Sequence, residues 1–283
     1  MTAIPTPVPD GDLLEAVVLL QRYSLELDEV AVRVFGEGPT GAVDLEILHA
    51  IARGESPSPS DLVDRLGMPR STLSRGLSRL RRLGLVERSV DDTDARRAAL
   101  APTAAGAARL ERFESALADF LLDSAPVVKE VKLLLGRDPE RDRRSQRRLS
   151  VREVADRIGA VGAAYQRDVR RAVGEYGVAD TPDRFAVAYL ALHESRPSLI
   201  AEHLHLTPAG TTSLLDRLED LGVVERRTGA WPEDRRAVLV RLTPRGRRAA
   251  QAVLEVSRQH REPLLEVLGA TLRVAPSHAS RSA

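Results

Sequence analysis

The sequence predicts an α+β fold, mostly helical, in which a helix-turn-helix followed by a β-hairpin wing is built twice within 283 residues. Three observations predict it. First, Arg79-Leu80-Arg81-Arg82-Leu83-Gly84-Leu85-Val86-Glu87-Arg88 returns 138 residues later as Arg217-Leu218-Glu219-Asp220-Leu221-Gly222-Val223-Val224-Glu225-Arg226, identical at seven of ten positions, which marks an internal duplication. Second, each copy reads as the end of an amphipathic helix, a helix-ending glycine and a short apolar strand. Third, aromatic residues make up only 3% of the chain, while alanine, leucine and arginine abound, a composition that favours helices with aliphatic cores.

Taken in order, residues 1–10 hold Pro5, Pro7 and Pro9 and read as a flexible arm. Over 13–35 apolar residues recur at three and four, giving one long amphipathic helix that Gly36 and Gly38 end. A second helix is expected over 43–52 and a third over 60–66, capped by Ser58 or Ser60. After the turn Gly67-Met68-Pro69 a helix covers 70–83 with Leu73, Leu77 and Leu80 inward. Gly84 stops it, because glycine accepts a positive φ without strain. That succession has helix-turn-helix spacing. Segments 85–89 and 98–101 flank the polar turn 90–94 as a hairpin. Pro102-Thr103 opens another long helix reaching about 122, and Pro126 separates it from a shorter apolar helix over 127–135.

The same order then repeats. The arginine-rich charged stretch 137–150 reads as a linker. Helices follow over 151–173, 185–192 and 198–206, and Thr207 caps a fourth that ends at Gly222. A hairpin spans 223–242 around Gly229-Ala230-Trp231-Pro232, and Thr243 starts a helix interrupted at Pro263. The expected domains are 1–136, with its arm, and 151–283, with a flexible tail over 274–283.

Charge and composition bound the function. With 42 basic and 41 acidic groups the net charge is +1, so any nucleic-acid surface must arise from local clustering. Such clusters exist: 69–106 holds eight arginines against four acids, and 207–248 nine against six. The chain has no cysteine, which excludes disulfides, thiolate metal sites and thiol redox switches. No apolar run approaches the ~18 residues of a membrane span, so a cytoplasmic location is expected and no membrane partner. A Gly-rich phosphate loop, a GxSxG elbow and an HExxH helix are all missing, so the chain is not expected to be an enzyme and no cofactor is implied.

Asp94-Ala95-Arg96-Arg97-Ala98 and Asp234-Arg235-Arg236-Ala237, each followed by a threonine that begins the next helix, complete a recognisable pattern. It resembles the MarR family of winged helix-turn-helix regulators. The second half is the closer match, through Leu206-Thr207-Pro208-Ala209-Gly210-Thr211-Thr212-Ser213-Leu214-Leu215-Asp216-Arg217-Leu218, Gly222 to Arg226, and Leu242-Thr243-Pro244. In the first half Pro69 replaces the cap threonine, and Pro102-Thr103-Ala104 is the weaker counterpart of Leu242-Thr243-Pro244. The resemblance implies a winged helix whose first and last helices form a dimerisation bundle, with effector binding in a cleft between bundle and DNA-binding lobe. Family members carry one copy per chain and dimerise. Two copies here imply an intramolecular pseudo-dimer, with higher oligomers open.

A recognition helix enters the major groove by its N-terminal half, where small polar side chains and arginine reach base edges. In the first copy these are Arg70, Ser71, Thr72, Ser74 and Arg75, with Arg79 further along. In the second they are Thr207, Thr211, Thr212 and Ser213, with Arg217 further along near the phosphates. Arg70 and Arg75 are the best specificity candidates, since arginine makes a paired contact to guanine. In each wing an aspartate at the hairpin base is spaced to lock an arginine, Arg96 or Arg236, leaving Arg97 or Arg235 for the minor groove. The expected partner is double-stranded DNA, bound as an imperfect palindrome, because 70–82 carries five arginines and no acid whereas 208–220 sets Arg217 against Asp216, Glu219 and Asp220. The first copy is expected to lean on its helix and the second on its wing.

A small-molecule effector, on the resemblance, would meet residues such as Tyr23, His49, Tyr165, Phe185 or Tyr189, which are equally ordinary core aromatics. His193, Glu202, His203 and His205 are poorly spaced for a metal, and none is expected. The competing readings are a tandem winged-helix protein-interaction module and a regulator in which only one copy binds DNA.

Overall fold

The computed structural model describes residues 8–35, 41–54, 58–66, 68–90, 98–136, 147–178, 180–228 and 238–275. They fall into two compact units. One consists of residues up to Leu25 together with Leu121–Ala275, and the other of Glu26–Phe120. These units do not follow the 1–136 and 151–283 division expected from the sequence. The cause is that the start of the first helix and the apolar helix after Ser124 bury their faces with the second half of the chain, including Val17, Val128 and Val131.

Within the Glu26–Phe120 unit, α2 (Gly41–Arg53), α3 (Pro59–Leu66) and α4 (Arg70–Arg82) pack on one another and on the hairpin of β1 (Val86–Val90) and β2 (Ala98–Pro102). The unit also takes the later part of α1 (Asp10–Phe35) and most of α5 (Ala104–Asp123). Ile47, Leu48 and Ile51 of α2 meet Leu62, Leu73, Leu77 and Leu80, and Leu85 and Leu100 close the core. Each large aliphatic side chain fully buried this way contributes roughly 1.5–3 kcal/mol. Gly84 leaves α4 at φ +67°, and Leu85 N donates to Leu80 O at 2.9 Å while Gly84 N donates to Arg81 O, the six-to-one and five-to-two bonds of a Schellman stop. Thr103 then ties the turn to the next helix. Its Oγ1 donates to Gly84 O at 2.6 Å and accepts from Gly106 N at 3.1 Å. Gly106 has no room for a side chain, since a Cβ there would lie 2.1 Å from Leu85 O.

In the other unit the succession of elements recurs. Ser150 caps α7 (Val151–Val173) in a reciprocal capping box with Glu153, satisfying two otherwise orphaned donors. After a short 3₁₀ turn come α8 (Thr181–Leu192), α9 (Pro197–His203), α10 (Pro208–Asp220), β3 (Val224–Thr228), β4 (Val238–Leu242), α11 (Pro244–Gln259) and α12 (Arg261–Thr271). α7 packs against α11 and α12, and α6 (Ala125–Leu134) against α12, as a helical bundle. The joint between α10 and β3 has the geometry of that between α4 and β1: Gly222 has φ +66°, Thr243 Oγ1 donates to Gly222 O at 2.6 Å, and a Cβ on Gly246 would lie 2.1 Å from Val223 O.

Several boundaries differ from the sequence expectation. The arm ends earlier, because Asp10 already belongs to α1 and pairs with Arg258. The tail starts later: Val274 is buried and forms a parallel bridge with Leu149, through Leu149 N to Arg273 O and Ala275 N to Leu149 O, both 2.9 Å. The same bridge anchors the end of the predicted linker. The last helix breaks at His260, whose ring meets Asp168 Oδ2 at 2.9 Å, and not at Pro263. Pro263 sits in the first turn of α12, where a missing N–H forfeits no intrahelical bond.

Candidate nucleic-acid interface

Both recognition-helix candidates are set by the same device. Asp44 of α2, only 4% exposed, receives Arg79 Nε at 2.5 Å and Arg79 Nη2 at 2.9 Å. Asp183 of α8, 1% exposed, receives Arg217 Nε at 3.2 Å and also Arg217 Nη2. A planar guanidinium gripped on two edges by a buried carboxylate fixes the rotation of its helix about the helix axis. The hydrogen-bonded carboxylate also raises the pKa of each arginine above its ordinary value. This changes the role expected for Arg79 and Arg217. The fork that would grip a phosphate or a base is engaged inside the protein.

On α4 the remaining candidates face solvent. Arg70, Ser71, Ser74 and Arg75 are exposed and Thr72 is half-buried. The N-cap, Pro69, makes no side-chain cap bond, so in the first turn of α4 only Thr72 N is engaged, donating to Pro69 O at 2.9 Å, and no cap side chain covers the N–H groups before it. Arg75 Nε lies 3.3 Å from Ser71 O. Ser78, Arg81, Arg82 and Arg88 share exposure with these residues, though the sequence reading passed over them. Arg70, Arg81 and Arg88 line a cleft of about 370 Å³ beside α3, together with Ser60, Ser74 and Ser78. Among the described residues, no carboxylate pairs with Arg70, Arg81 or Arg88.

On α10 the candidates divide. Thr207 is exposed and caps the helix, its Oγ1 accepting from Gly210 N at 3.1 Å. Thr212 and Ser213 are exposed, with Thr212 Oγ1 donating to Pro208 O at 3.0 Å. Thr211 is 2% exposed and its hydroxyl donates to Thr207 O at 3.0 Å, so it is removed from the set that reaches outward. It stands 138 residues after Leu73, the spacing of the sequence repeat, and lies inward with Leu214, Leu215 and Leu218. Further along, Arg226 of β3 is held by Asp216 at 2.7 Å and Glu219 at 2.5 Å, and Arg241 is paired with Glu225. Two of the arginines expected to serve the second wing, Arg226 and Arg241, are thus already matched. The wing candidates Arg96, Arg97, Arg235 and Arg236, with Asp94, Asp234 and Trp231, lie outside the described residues.

Of the aromatic candidates for an effector, Phe185 belongs to one core cluster and Tyr165 and Tyr189 pack against it. His49 belongs to the Glu26–Phe120 unit, edge-on to Phe113 with centroids 6.0 Å apart. The other four belong to the other unit. Phe185 is core, Tyr165 bonds Ser257 at 2.9 Å, and Tyr23 is buried near Ser124 and Thr271, burial pushing its pKa up to about 12. Of these candidates, Tyr189 borders a described cleft. It stacks on His203 at 4.3 Å, meets the edge of His193 at 5.0 Å, and lines a space of about 310 Å³ with Arg22 and His205. Burial, reinforced by Arg22, lowers the His203 pKa to about 4. Among the described residues no three His, Asp or Glu side chains are arranged to hold a metal, and no helix is long and apolar enough to cross a membrane.

The missed positioning residues Asp44 and Asp183 leave a trace in sequence. Each is an acid near the start of a mostly apolar helix, 35 residues ahead of Arg79 in one case and 34 ahead of Arg217 in the other.

No curated protein matches the chain. Among solved structures it is similar to the YusO protein from Bacillus subtilis, at 25% identity over 38% of this chain and 74% of that one, with a TM-score of 0.32. It is also similar to RV1404 from Mycobacterium tuberculosis, at 21% identity over 47% of this chain and 99% of that one, with a TM-score of 0.39. Residues 38–97, which contain α2, α3, α4 and β1, match the family model described as MarR family.

Proposed function

We propose that the protein is a sequence-specific DNA-binding transcriptional regulator, a repressor, made of two winged-helix copies fused in one chain. The observation that carries the reading is the outward face of α4: Arg70, Ser71, Ser74, Arg75, Arg81 and Arg82 are exposed on a helix without a single acid, its rotation fixed by the Asp44–Arg79 clamp. The MarR family match over the same region supports it. Arg70 and Arg75 read base edges in the major groove, Ser71 and Ser74 contact bases or phosphates, and Arg96 and Arg97 follow into the minor groove. Thr207, Thr212, Ser213, Arg235 and Arg236 are the corresponding set of the second copy. Because the two sets differ, the operator is an imperfect palindrome whose half-sites are bound unequally. A small molecule entering beside Tyr189 would modulate binding.

The test is selection of bound genomic fragments, then footprinting and mass measurement of the complex at fixed ionic strength. One chain per imperfect palindrome is expected, with Arg75→Ala costing about 1–3 kcal/mol at one base position. Absence of any salt-dependent, sequence-dependent binding refutes the reading and favours a protein-interaction module. Strict two-fold protection, with equal losses from Arg75→Ala and Ser213→Ala, refutes the inequality.

A further inference from the structure

The two copies carry the same corner, where the end of the recognition helix meets the first strand of the wing, but fill it differently. At the α10–β3 corner Arg226 grips two carboxylates of its own helix, Asp216 at 2.7 Å and Glu219 at 2.5 Å. At the α4–β1 corner the arginine is kept as Arg88, while Ser78 stands in the place of Asp216 and Arg81 in the place of Glu219. There the internal oxyanions are missing and a second guanidinium is added.

We infer that the α4–β1 corner is a clamp for the DNA backbone, Arg81 and Arg88 gripping one phosphate with Ser78 donating to it, and that Asp216 and Glu219 hold the matching α10–β3 corner closed to DNA. The inference rests on the DNA-binding reading above and adds to it which copy grips the backbone and through which residues. Three features support it. Arg81 and Arg88 border one cleft with Ser78, and among the described residues neither has a carboxylate partner. Arg226 shows that an arginine at this place on the wing reaches oxyanions presented by the helix, and a phosphate offers the same planar-fork match as a carboxylate. Finally, a phosphate approaching the α10–β3 corner would meet two negative charges that already saturate Arg226, so like-charge repulsion opposes it.

The experiment uses the full chain and a labelled duplex selected from bound genomic fragments, with affinity followed by fluorescence anisotropy across a salt series. Deleting a side chain that neutralises one phosphate flattens the slope of log affinity against log salt by about 0.9. Arg81→Ala and Arg88→Ala are expected to weaken binding several-fold each and, because both grip one phosphate, their combination is expected to flatten the slope by that amount, while Arg226→Ala changes neither by more than roughly twofold. The double substitution Asp216→Ser with Glu219→Arg, which copies the first corner onto the second, is expected to tighten binding and steepen the slope. An unaltered slope for the Arg81→Ala, Arg88→Ala double variant in folded protein, or a loss on Arg226→Ala equal to that on Arg88→Ala, overturns the inference while DNA binding itself stands. A wild-type chain that shows no salt-dependent binding to any duplex overturns the functional reading first. Far-UV circular dichroism of each variant distinguishes a missing phosphate grip from a damaged fold.

Discussion

Removing either half of the Asp44–Arg79 clamp gives outcomes that distinguish a structural arginine from a DNA-reading one. Losing one partner of a fully buried ion pair costs about 3–5 kcal/mol. This pair is graded: the Asp44 side chain is 6% exposed and that of Arg79 is 29% exposed. Arg79→Ala therefore strands a carboxylate that water barely reaches, whereas Asp44→Ala leaves a guanidinium that can swing towards solvent. Scaling by that access, Arg79→Ala is expected to cost about 2–3 kcal/mol and Asp44→Ala about 1–2 kcal/mol. The double variant should cost clearly less than the two together, because one stranded charge is removed with the other. Urea unfolding, followed by a probe placed in the Glu26–Phe120 unit, reads these values. DNA affinity should fall for Asp44→Ala as well as for Arg79→Ala, since both release the rotation of α4. A stable Arg79→Ala protein with weakened DNA binding, beside an Asp44→Ala protein that binds more tightly, would refute the clamp and restore Arg79 as a direct contact.

Three further outcomes follow from the geometry. Gly106→Ala and Gly246→Ala each drive a methyl group against a backbone carbonyl 2.1 Å away and should cost at least about 1–3 kcal/mol, visible as a lower midpoint in thermal melts. Thr207→Ala removes the α10 cap and should cost about 1 kcal/mol, whereas Thr207→Asn or Thr207→Ser restores most of it; a DNA contact alone would leave the melt unchanged. His203 has its pKa lowered from 6.5 to about 4, so between these values the unfolded chain binds more protons than the folded one, and stability falls as pH drops through that window. With the ring partly open to water, the loss from pH 7 to pH 4 should reach about 1–2 kcal/mol. His203→Gln should flatten that dependence in urea titrations, and an unchanged profile would count against the shift.

Local pattern carried most of the elements. The Gly84 and Gly222 stops, the Thr207 cap and the 151–173 helix are all set by residues within one turn of the feature they control, which is why they were legible. What was not legible depends on partners far away in sequence. Arg79 and Arg217 read as outward-facing basic residues because nothing nearby announces Asp44 or Asp183. Arg226 likewise counts as wing charge until its two carboxylates are seen beside it. Thr211 was within reach of the sequence: it aligns with Leu73, which the periodicity turns inward, and a small polar side chain obscures the match. The unit boundaries escaped for the same long-range reason, since the apolar stripes of α1 and α6 show that a partner exists without naming it.

The bridge between Leu149 and Val274 makes neighbours of two points at opposite ends of a long stretch of chain. Parallel pairing requires both segments to be extended and to run in the same direction, so the peptide leaving Ala275 and the one arriving at Leu149 are offset by the length of that short bridge. The bridge therefore ties the residue that precedes α7 to the residues that follow α12, so those two helices cannot shift along each other without breaking the backbone hydrogen bonds of Leu149.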